Sequence, residues 1–272
     1  MASRPGVSNA RRSLTDLLYG RNAVAEALRA RRRRIRRVLI AQGAHGLDSL
    51  VDLAAEHAVR VETVDRSRLD HDLPGAHHQG VAAETDAFPY SSLDDLLMGA
   101  EHRRQPALLL VLDSLQDPQN FGTLLRTAQA AGVHGVLIAE HRAVGITPSV
   151  SNASAGAIEH LLVARVTNLH RALETLKQRG VWLYGLAVDA PEPYWATDLT
   201  GPVGLVIGSE GRGLSRLVRE TCDALLSIPM APGAVQSLNA SVAGSLVVYE
   251  AFRQRLRFPI SDPQPGPQRS SA

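Results

Sequence analysis

A glycine-rich loop late in the chain constrains the fold more than any other feature. Residues 203–207 are apolar throughout, which predicts a buried strand, and they run directly into the sequence GSEGRG at residues 208–213. In an ordinary dinucleotide-binding fold, the glycine-rich loop follows the first strand of the domain. A loop this far along a chain of 272 residues predicts a ligand-binding fold of a different kind.

Further apolar runs accompany this strand from residue 106 onward. They predict strands at residues 107–112, 135–139, 161–166, 181–188, 203–207 and 224–228. Helical segments separate most of these strands. Strands that are apolar throughout are buried on both faces, so the pattern predicts a parallel sheet with helices on both faces. The predicted fold class is α/β.

The amino-terminal part repeats this alternation on a smaller scale and predicts a small α/β domain. Residues 23–28 and 48–58 have helical spacing, whereas residues 38–40, 59–64 and 80–83 are typical of strands. Both ends of the chain lack periodicity and are rich in polar residues or proline, which predicts disorder. The predicted boundaries are 1–15 for a disordered basic arm, 16–86 for the small domain, 87–105 for a linker with a short helix at 93–98, 106–258 for the main domain and 259–272 for a disordered tail.

Positive charge is concentrated near the amino terminus. The net charge is only +2, but residues 1–40 hold eleven arginines against two acidic residues. This cluster is either a solvated helix end or a surface that contacts phosphates, because polyanion binding requires charge concentrated on one small region. We favour the second interpretation, which predicts an RNA-binding patch. Its proposed members are Arg31, Arg32, Arg33, Arg34 and Arg36.

Composition restricts the remaining classes of protein. No apolar run approaches the roughly 18 residues of a membrane helix, and no apolar stretch typical of a secretory signal follows the first arginines. The single cysteine, Cys222, excludes an internal disulfide and fits a reducing compartment. The ten histidines lack the spacing of metal ligands. We therefore expect a cytoplasmic protein with no membrane segment and no metal site.

Polar residues follow the predicted strand at 107–112. Asp113 closes this strand, the pair Asp117-Pro118 indicates a turn, and Asn120 stands where a helix N-cap is expected. Arg126 lies further along the same helix, which is otherwise short of charge. An isolated arginine in such a helix indicates a specific partner for its guanidinium.

A third polar segment precedes the last predicted helix, at residues 240–253. Ser237 is either the N-cap of that helix or a ligand-binding residue, with Asn239 at the second or third helical position. Glu210 in the glycine-rich loop would repel a phosphate, which favours a ligand other than a bare phosphate. All three segments stand at strand–loop–helix junctions, where open α/β sheets bind their ligands.

Taken together, these segments resemble the three motifs of the SpoU (TrmH-type) RNA 2′-O-ribose methyltransferases. The motifs are residues 112–126, which include Asn120 and Arg126, residues 207–213, and residues 228–243. Residues 154–157 and 167–169 are supporting matches. The amino-terminal unit, with its sequence HQG at 78–80, is similar to the substrate-binding domain of the branch that methylates guanosines of 23S rRNA. The resemblance extends over residues 17–258.

The resemblance implies a SPOUT-type catalytic domain in which the carboxyl-terminal segment forms a trefoil knot. It also implies a homodimer that binds S-adenosylmethionine in the knot and methylates a ribose 2′-hydroxyl of RNA. The expected target is a guanosine of 23S rRNA. A tRNA substrate, another rRNA nucleotide as in resistance enzymes, or a non-catalytic RNA-binding relative remain as alternatives. A Rossmann-type oxidoreductase or an ordinary methyltransferase fits less well, because no glycine-rich turn follows residues 108–113.

Residue roles follow from the same resemblance. Cofactor contacts are expected from Gly208, Gly211, Ile228, Met230 and Leu238, and the expected catalytic set is Asn120, Arg126, Glu210, Ser237 and Asn239. A guanidinium with a pKa above about 12 is a poor base. We therefore expect Arg126 to hold an RNA phosphate and stabilise the oxyanion. Asn120 and Ser237 are expected to orient the ribose. Asn239 is expected to fix the loops of the first and third motifs, and Glu210 to position Asn120 or Arg126.

Overall fold

The computed structural model describes residues 15–141, 144–233 and 237–256. The predicted tail, and the predicted arm apart from Thr15, lie outside these ranges. So do residues 234–236, within the segment that connects Met230 to Ser237.

The amino-terminal unit is a four-stranded mixed sheet with three helices. Its elements are β1 (Thr15–Tyr19), α1 (Arg21–Ala30), β2 (Ile35–Ala41), α2 (Asp48–Glu56), β3 (Arg60–Val64), α3 (Arg66–Asp72) and β4 (Val81–Asp86). The strand order is β1-β4-β2-β3, and only β2 and β3 run parallel. The strands expected around 38–40, 59–64 and 80–83 are confirmed. The sequence did not predict α3, a short helix whose one buried residue is Leu69.

The carboxyl-terminal unit contains a seven-stranded sheet in which every neighbouring pair of strands is parallel. Its elements are α4 (Leu93–His102), β5 (Leu108–Leu112), α5 (Pro118–Ala130), β6 (Gly135–Ala139), α6 (Pro148–Ala153), β7 (Val163–Val166), α7 (Leu169–Gln178), β8 (Trp182–Leu186), β9 (Glu192–Pro193), β10 (Val203–Ile207), α8 (Arg216–Thr221), β11 (Ala224–Ser227) and α9 (Ala240–Arg255). The strand order is β7-β6-β5-β10-β8-β11-β9. All six predicted strands are present, and the α/β fold class is confirmed.

Both faces of this sheet are covered, as the apolar strands predict. Alternate residues of β5 enter opposite cores: Leu110 packs with α5 and α9, whereas Leu109 packs with α4 and α7. Because successive side chains of a strand point to opposite faces, a strand between two helical layers is apolar at every position. The carboxyl ends of the strands are left open between the layers.

Two helices begin at residues other than those expected. The N-cap of α5 is Asp117, whose Oδ2 accepts from the backbone N–H of Asn120 over 2.9 Å, and Pro118 occupies the first turn. The N-cap of α9 is Asn239, not Ser237. An Asp followed by Pro is a strong helix start, because proline favours the first helical position. Asn120 and Asn239 are thus fixed in place, Asn120 within the first turn of α5.

Residues 87–105, predicted as a linker, contain the helix α4, which belongs to one of the helical layers of the large sheet. Leu96 and Ala100 of α4 are buried against the large sheet. A Cβ atom on Gly135, at the start of β6, would lie 2.6 Å from Leu96 Cδ2, so the glycine permits this close packing. The segment is therefore part of the core, and its helix is longer than the predicted 93–98.

Candidate active site

A cavity of about 370 Å³ opens at the carboxyl ends of three adjacent strands, β8, β10 and β11. Apolar side chains and glycine backbone form much of its lining, which includes Leu186, Ile207, Gly208, Leu226, Ile228 and Leu238. All five residues predicted to contact a cofactor line this cavity, since Gly211 and Met230 also border it. A mostly apolar cavity at a sheet's carboxyl edge is typical of a small-molecule site.

The glycine-rich loop forms one wall and is closed on itself. Ser209 and Gly213 exchange two backbone hydrogen bonds, of 3.0 and 2.9 Å. Gly213 has a left-handed backbone, with φ of 66°. A Cβ atom on Gly208 would lie 2.2 Å from the carbonyl carbon of Gly213, closer than any side chain tolerates. Glycine at position 208 is therefore required for the loop to fold back beside the cavity.

Polar side chains from all three predicted motifs meet at the rim of the cavity. Asn120 Nδ2 donates to Glu210 Oε1, and Asn239 Nδ2 lies 3.1 Å from the same oxygen and 3.0 Å from Asn120 Oδ1. The Ser241 hydroxyl lies 3.1 Å from Asn120 Oδ1 and 2.7 Å from Asn239 Oδ1. This network joins the starts of α5 and α9 to the glycine-rich loop. The sequence analysis did not identify Ser241, although it lies two residues after Asn239.

The fold explains why these distant segments meet. β5 and β10 are neighbours, with Leu112 opposite Ile207, so the loops that follow them start side by side. Asp113, the next residue after β5, accepts from the backbone N–H of Ser215 over 2.6 Å and holds the far end of the glycine-rich loop. A Cβ atom on Gly122 would lie 2.4 Å from Ala153 Cβ, so glycine lets α5 pack closely against α6.

Two predicted catalytic residues stand outside the network. Ser237 borders the cavity. Arg126 is exposed on α5, and within the described part of the chain no hydrogen bond or ion pair engages its guanidinium. The structure thus brings Asn120, Glu210 and Asn239 together, and leaves Ser237 and Arg126 outside their network.

An ion pair at the cavity mouth escaped the sequence analysis. Arg219 of α8 donates to both carboxylate oxygens of Asp189, over 3.1 and 2.9 Å, and both residues line the cavity. The hydrogen bond from Arg219 lowers the pKa of Asp189 below its ordinary value. The two residues are 30 positions apart, so no local pattern connects them.

The predicted RNA-binding arginines differ in burial. Arg33 is only 6% exposed and pairs with Glu159, while half-buried Arg32 donates to the Leu161 carbonyl. These two side chains are committed to contacts inside the protein, which corrects their assignment to an RNA-facing surface. Arg36 is exposed and pairs with Asp86 over 2.9 Å. Exposed positions are also found at Arg31 and Arg34, so the prediction stands for these three.

Other reactive groups add little to the site. In the three described ranges no group of His, Cys, Asp and Glu side chains is arranged to hold a metal ion. Burial raises the pKa of the Cys222 thiol to about 12, so it is a poor nucleophile at neutral pH. No helix in the described ranges is long and apolar enough to cross a membrane.

Comparison with known proteins agrees with this geometry. Residues 107–249 match the model of the SpoU rRNA methylase family, and residues 17–91 match the RNA 2′-O ribose methyltransferase substrate-binding domain. The chain is 45% identical over 241 residues to Bacillus subtilis YacO, assigned to the TrmH family of tRNA/rRNA methyltransferases, which covers 88% of this chain and 96% of that protein.

Solved structures give the same result. The SpoU methyltransferase AviRb from Streptomyces viridochromogenes, in complex with the cofactor AdoMet, superimposes with a TM-score of 0.75 at 28% identity, over 89% of this chain and 90% of that one. A TrmH/SpoU tRNA-modifying enzyme from A. aeolicus superimposes with a TM-score of 0.51 at 30% identity, over 60% and 84% of the two chains.

The protein is therefore an RNA methyltransferase with a SPOUT-type catalytic unit and an amino-terminal substrate-binding unit. More particularly, the chain belongs to the SpoU family. Its cofactor is S-adenosylmethionine, as the sequence predicted.

Proposed function

We propose that this protein methylates a ribose 2′-hydroxyl of RNA, with a guanosine of 23S rRNA as the target. The observation that carries this proposal is the Asn120–Glu210–Asn239 network at the rim of the cavity. It places amide and carboxylate groups where a sugar needs hydrogen bonds, directly beside a mostly apolar cofactor site. The assignment to 23S rRNA rests on the similarity of the amino-terminal unit.

The cavity suits S-adenosylmethionine. Glycine at position 208 lets the loop fold back against Gly213 and line the cavity with its backbone, and Ile228 and Leu238 supply apolar walls for an adenine ring. Backbone groups of residues 208–211 and the Met230 region would contact the rest of the molecule. When bound, this cofactor supplies an electrophilic methyl group on a positively charged sulfur.

A ribose hydroxyl is a weak nucleophile, so the protein must orient it and favour loss of its proton. We assign the orienting hydrogen bonds to Asn120 and Ser237. Glu210 and Asn239 hold Asn120 in one rotamer, because both polar side-chain atoms of Asn120 have partners in the network. Arg126 is assigned to an RNA phosphate and to the developing oxyanion, since a guanidinium offers a positive charge and several N–H donors.

We further propose a homodimer in which each site is completed by the second copy. Three apolar side chains are exposed along one stripe of α9, Val242 at 48%, Leu246 at 39% and Tyr249 at 49%. Their spacing of four and three residues puts them on one face of the helix, and such a face is normally covered. Arg126 on the adjacent helix α5 does not line the cavity described above. A second subunit packed on α9 would bring Arg126 towards the partner's site.

The trefoil knot and the cytoplasmic location also belong to this proposal. Arg255, at the end of α9, donates to the carbonyls of Pro106 and Ala107 at the start of β5, and to Leu199 and Gly201 before β10. The last helix therefore returns to the two central strands of the sheet. This arrangement supports a carboxyl-terminal segment that passes through an earlier loop.

Mapping methylated riboses tests the proposed substrate. Ribosomal RNA and tRNA would be isolated from cells with and without the gene and scanned for 2′-O-methyl groups by resistance to alkaline cleavage. The proposal predicts one guanosine of 23S rRNA that loses its methyl group in the mutant. A loss confined to tRNA or to another rRNA nucleotide would support the alternative substrates, and no loss in any RNA would support a non-catalytic relative.

Arg126→Lys tests the assignment of the arginine. Lysine keeps the charge but loses the planar fork that binds a phosphate with two hydrogen bonds. We expect turnover on RNA to fall about tenfold or more while cofactor affinity is retained. Turnover close to that of the unaltered protein would contradict the assignment of Arg126 to an RNA phosphate.

A further inference from the structure

A buried ion pair joins the two units, and the site described above does not use it. Arg33 lies between α1 and β2, and Glu159 lies 126 positions later, in the short helix Ala157–His160 that follows α6. Arg33 Nε donates to Glu159 Oε2 over 3.1 Å, and Nη2 donates to Oε1. Glu159 is 0% exposed and Arg33 only 6%.

The surroundings of Arg33 are polar and come from both units. Its Nη2 lies 3.3 Å from Ser151 Oγ, and its Nη1 lies 3.5 Å from Thr85 Oγ1 and 3.7 Å from Asp16 Oδ2. A small shift of one unit against the other would leave two buried charges without partners, which is costly. A buried pair of this kind therefore favours one orientation of the two units relative to each other.

Contacts on either side of the pair restrict the same movement. Asn152 Nδ2 donates to the Tyr19 carbonyl over 3.2 Å. Gly156 has a left-handed φ of 81°, and a Cβ atom there would lie 2.9 Å from the Asn22 carbonyl oxygen, so glycine lets α1 pack directly on the turn. This turn is the segment 154–157, one of the family matches in the sequence. Its position gives that match a role in joining the units.

We infer that Arg33 and Glu159 are positioning residues. They fix the orientation of the substrate-binding unit on the catalytic unit, and this sets the distance between its RNA-binding face and the cofactor cavity. This inference rests on the proposed function. With the orientation fixed, the ribose that enters the cavity is selected by its distance from the RNA element held by the amino-terminal unit. A loosened pair still permits RNA binding, but the target ribose reaches the cavity less often.

Glu159→Gln in the full chain tests this directly, because glutamine keeps the shape and removes the charge. With rRNA from cells that lack the protein as substrate, we expect kcat to fall about tenfold or more. The dissociation constants for RNA and S-adenosylmethionine should stay within about twofold. Some methyl groups should appear on riboses near the normal target. Parallel losses of cofactor binding and kcat would show a merely structural role and overturn the inference.

Arg33→Lys provides a second variant in case Glu159→Gln folds poorly. Lysine keeps a positive charge beside Glu159 but forms only one of the two guanidinium hydrogen bonds, so a smaller fall in kcat is expected. The matched control is Glu62→Gln, which removes a carboxylate from an ion pair with Arg37 inside the amino-terminal unit. Its kcat should equal that of the unaltered protein, and a fall as large as that of Glu159→Gln would contradict the inference.

A distance measurement separates this inference from the proposed function. Spin labels on Glu56→Cys and Gln178→Cys would report the spacing of the units, with labelled chains diluted in excess unlabelled protein. Every labelled chain would also carry Cys222→Ser, so that only the two introduced cysteines take the label. A narrow distance distribution should broaden in Glu159→Gln, and an unchanged distribution would overturn the inference. A narrow distribution in a chain that transfers no methyl group to RNA would contradict the proposed function alone.

Discussion

The rim of the cofactor cavity and the contact between the two units use polar groups in opposite ways. At the rim, Glu210 and Asn239 are exposed and their hydrogen bonds join three loops beside open space. Between the units, Arg33 and Glu159 are enclosed. An exposed network can exchange partners with a substrate, whereas a buried pair with saturated hydrogen bonds fixes geometry. Chemistry and positioning are thus assigned to different parts of the molecule.

The largest effect is expected at the backbone of the rim. In Gly208→Ala the added Cβ atom would lie 2.2 Å from the carbonyl carbon of Gly213, so the loop must open. Calorimetry should show S-adenosylmethionine affinity reduced about 100-fold or more, equivalent to about 3 kcal/mol. The control is Gly201→Ala, where nothing lies within 4 Å of the added atom. Equal affinities of the two variants would contradict the assigned cavity.

Asn239 separates the catalytic network from the helix cap. Its Oδ1 caps α9 by accepting from the backbone N–H of Ser241 over 2.9 Å, and its Nδ2 reaches Asn120 and Glu210. Asn239→Asp keeps the cap but replaces the donor by a carboxylate beside Glu210, so kcat should fall about 30-fold or more while the helix cap is retained. Asn239→Ala should lose both, with unfolding easier by about 1 kcal/mol. If Asn239→Asp retains turnover, the network has no catalytic role.

Stability should respond more strongly to the buried pair than to any exposed one. Glu159→Gln leaves Arg33 buried without its main counterion, which should lower the free energy of unfolding by about 3 kcal/mol in urea titrations. Glu220→Gln breaks the exposed pair with Arg216, whose side chains are 75% and 55% accessible, and should change nothing measurable. Similar losses in both variants would remove the contrast between buried and exposed pairs.

His134 gives a second test of the energetic cost of a buried charge, because protonation would place a charge on this buried ring. Burial, with Arg103 and Arg255 nearby, lowers its pKa to about 4. Neutral His134 Nδ1 accepts from the Leu108 N–H over 3.0 Å. Because the folded pKa lies below the unfolded value of about 6.5, the stabilisation is complete above pH 6.5 and is lost as pH falls towards 4, by up to about 3 kcal/mol.

His134→Asn retains an acceptor for Leu108 but does not titrate. Its melting temperature should fall less between pH 7 and pH 4.5 than that of the unaltered protein. The exposed His102→Asn serves as control and should keep the original pH dependence. If the melting temperature falls equally with pH in all three proteins, His134 does not limit stability in acid.

The fold was largely predictable because the apolar residues of each strand indicate that the strand is buried. Residues 203–207 are apolar at every position, and this alone indicates a covered parallel strand. The glycine-rich loop and the two asparagines were recognisable from the joint occurrence and order of the three motifs, since asparagine alone is a common helix cap. The helix starts at Asp117 and Asn239 were placed wrongly because several nearby residues are equally good caps.

The roles of the arginines were not predictable from the run itself. Within residues 31–36, Arg33 and Arg34 are adjacent and carry the same charge, yet one is buried and the other exposed. The difference depends on Glu159, which lies 126 positions away. Nothing local distinguishes an arginine that meets a buried carboxylate from one that meets solvent. The pair Asp189–Arg219 was missed for the same reason.

The chemical identity of the product tests the central claim most directly. Purified protein would be incubated with rRNA from cells lacking it and with S-adenosylmethionine carrying a labelled methyl group, and the RNA would be digested to nucleosides for mass spectrometry. The label should be found on the ribose of guanosine, as 2′-O-methylguanosine, and should be absent with Gly208→Ala. Label on a base, or label that persists in that variant, would contradict ribose methylation at this cavity.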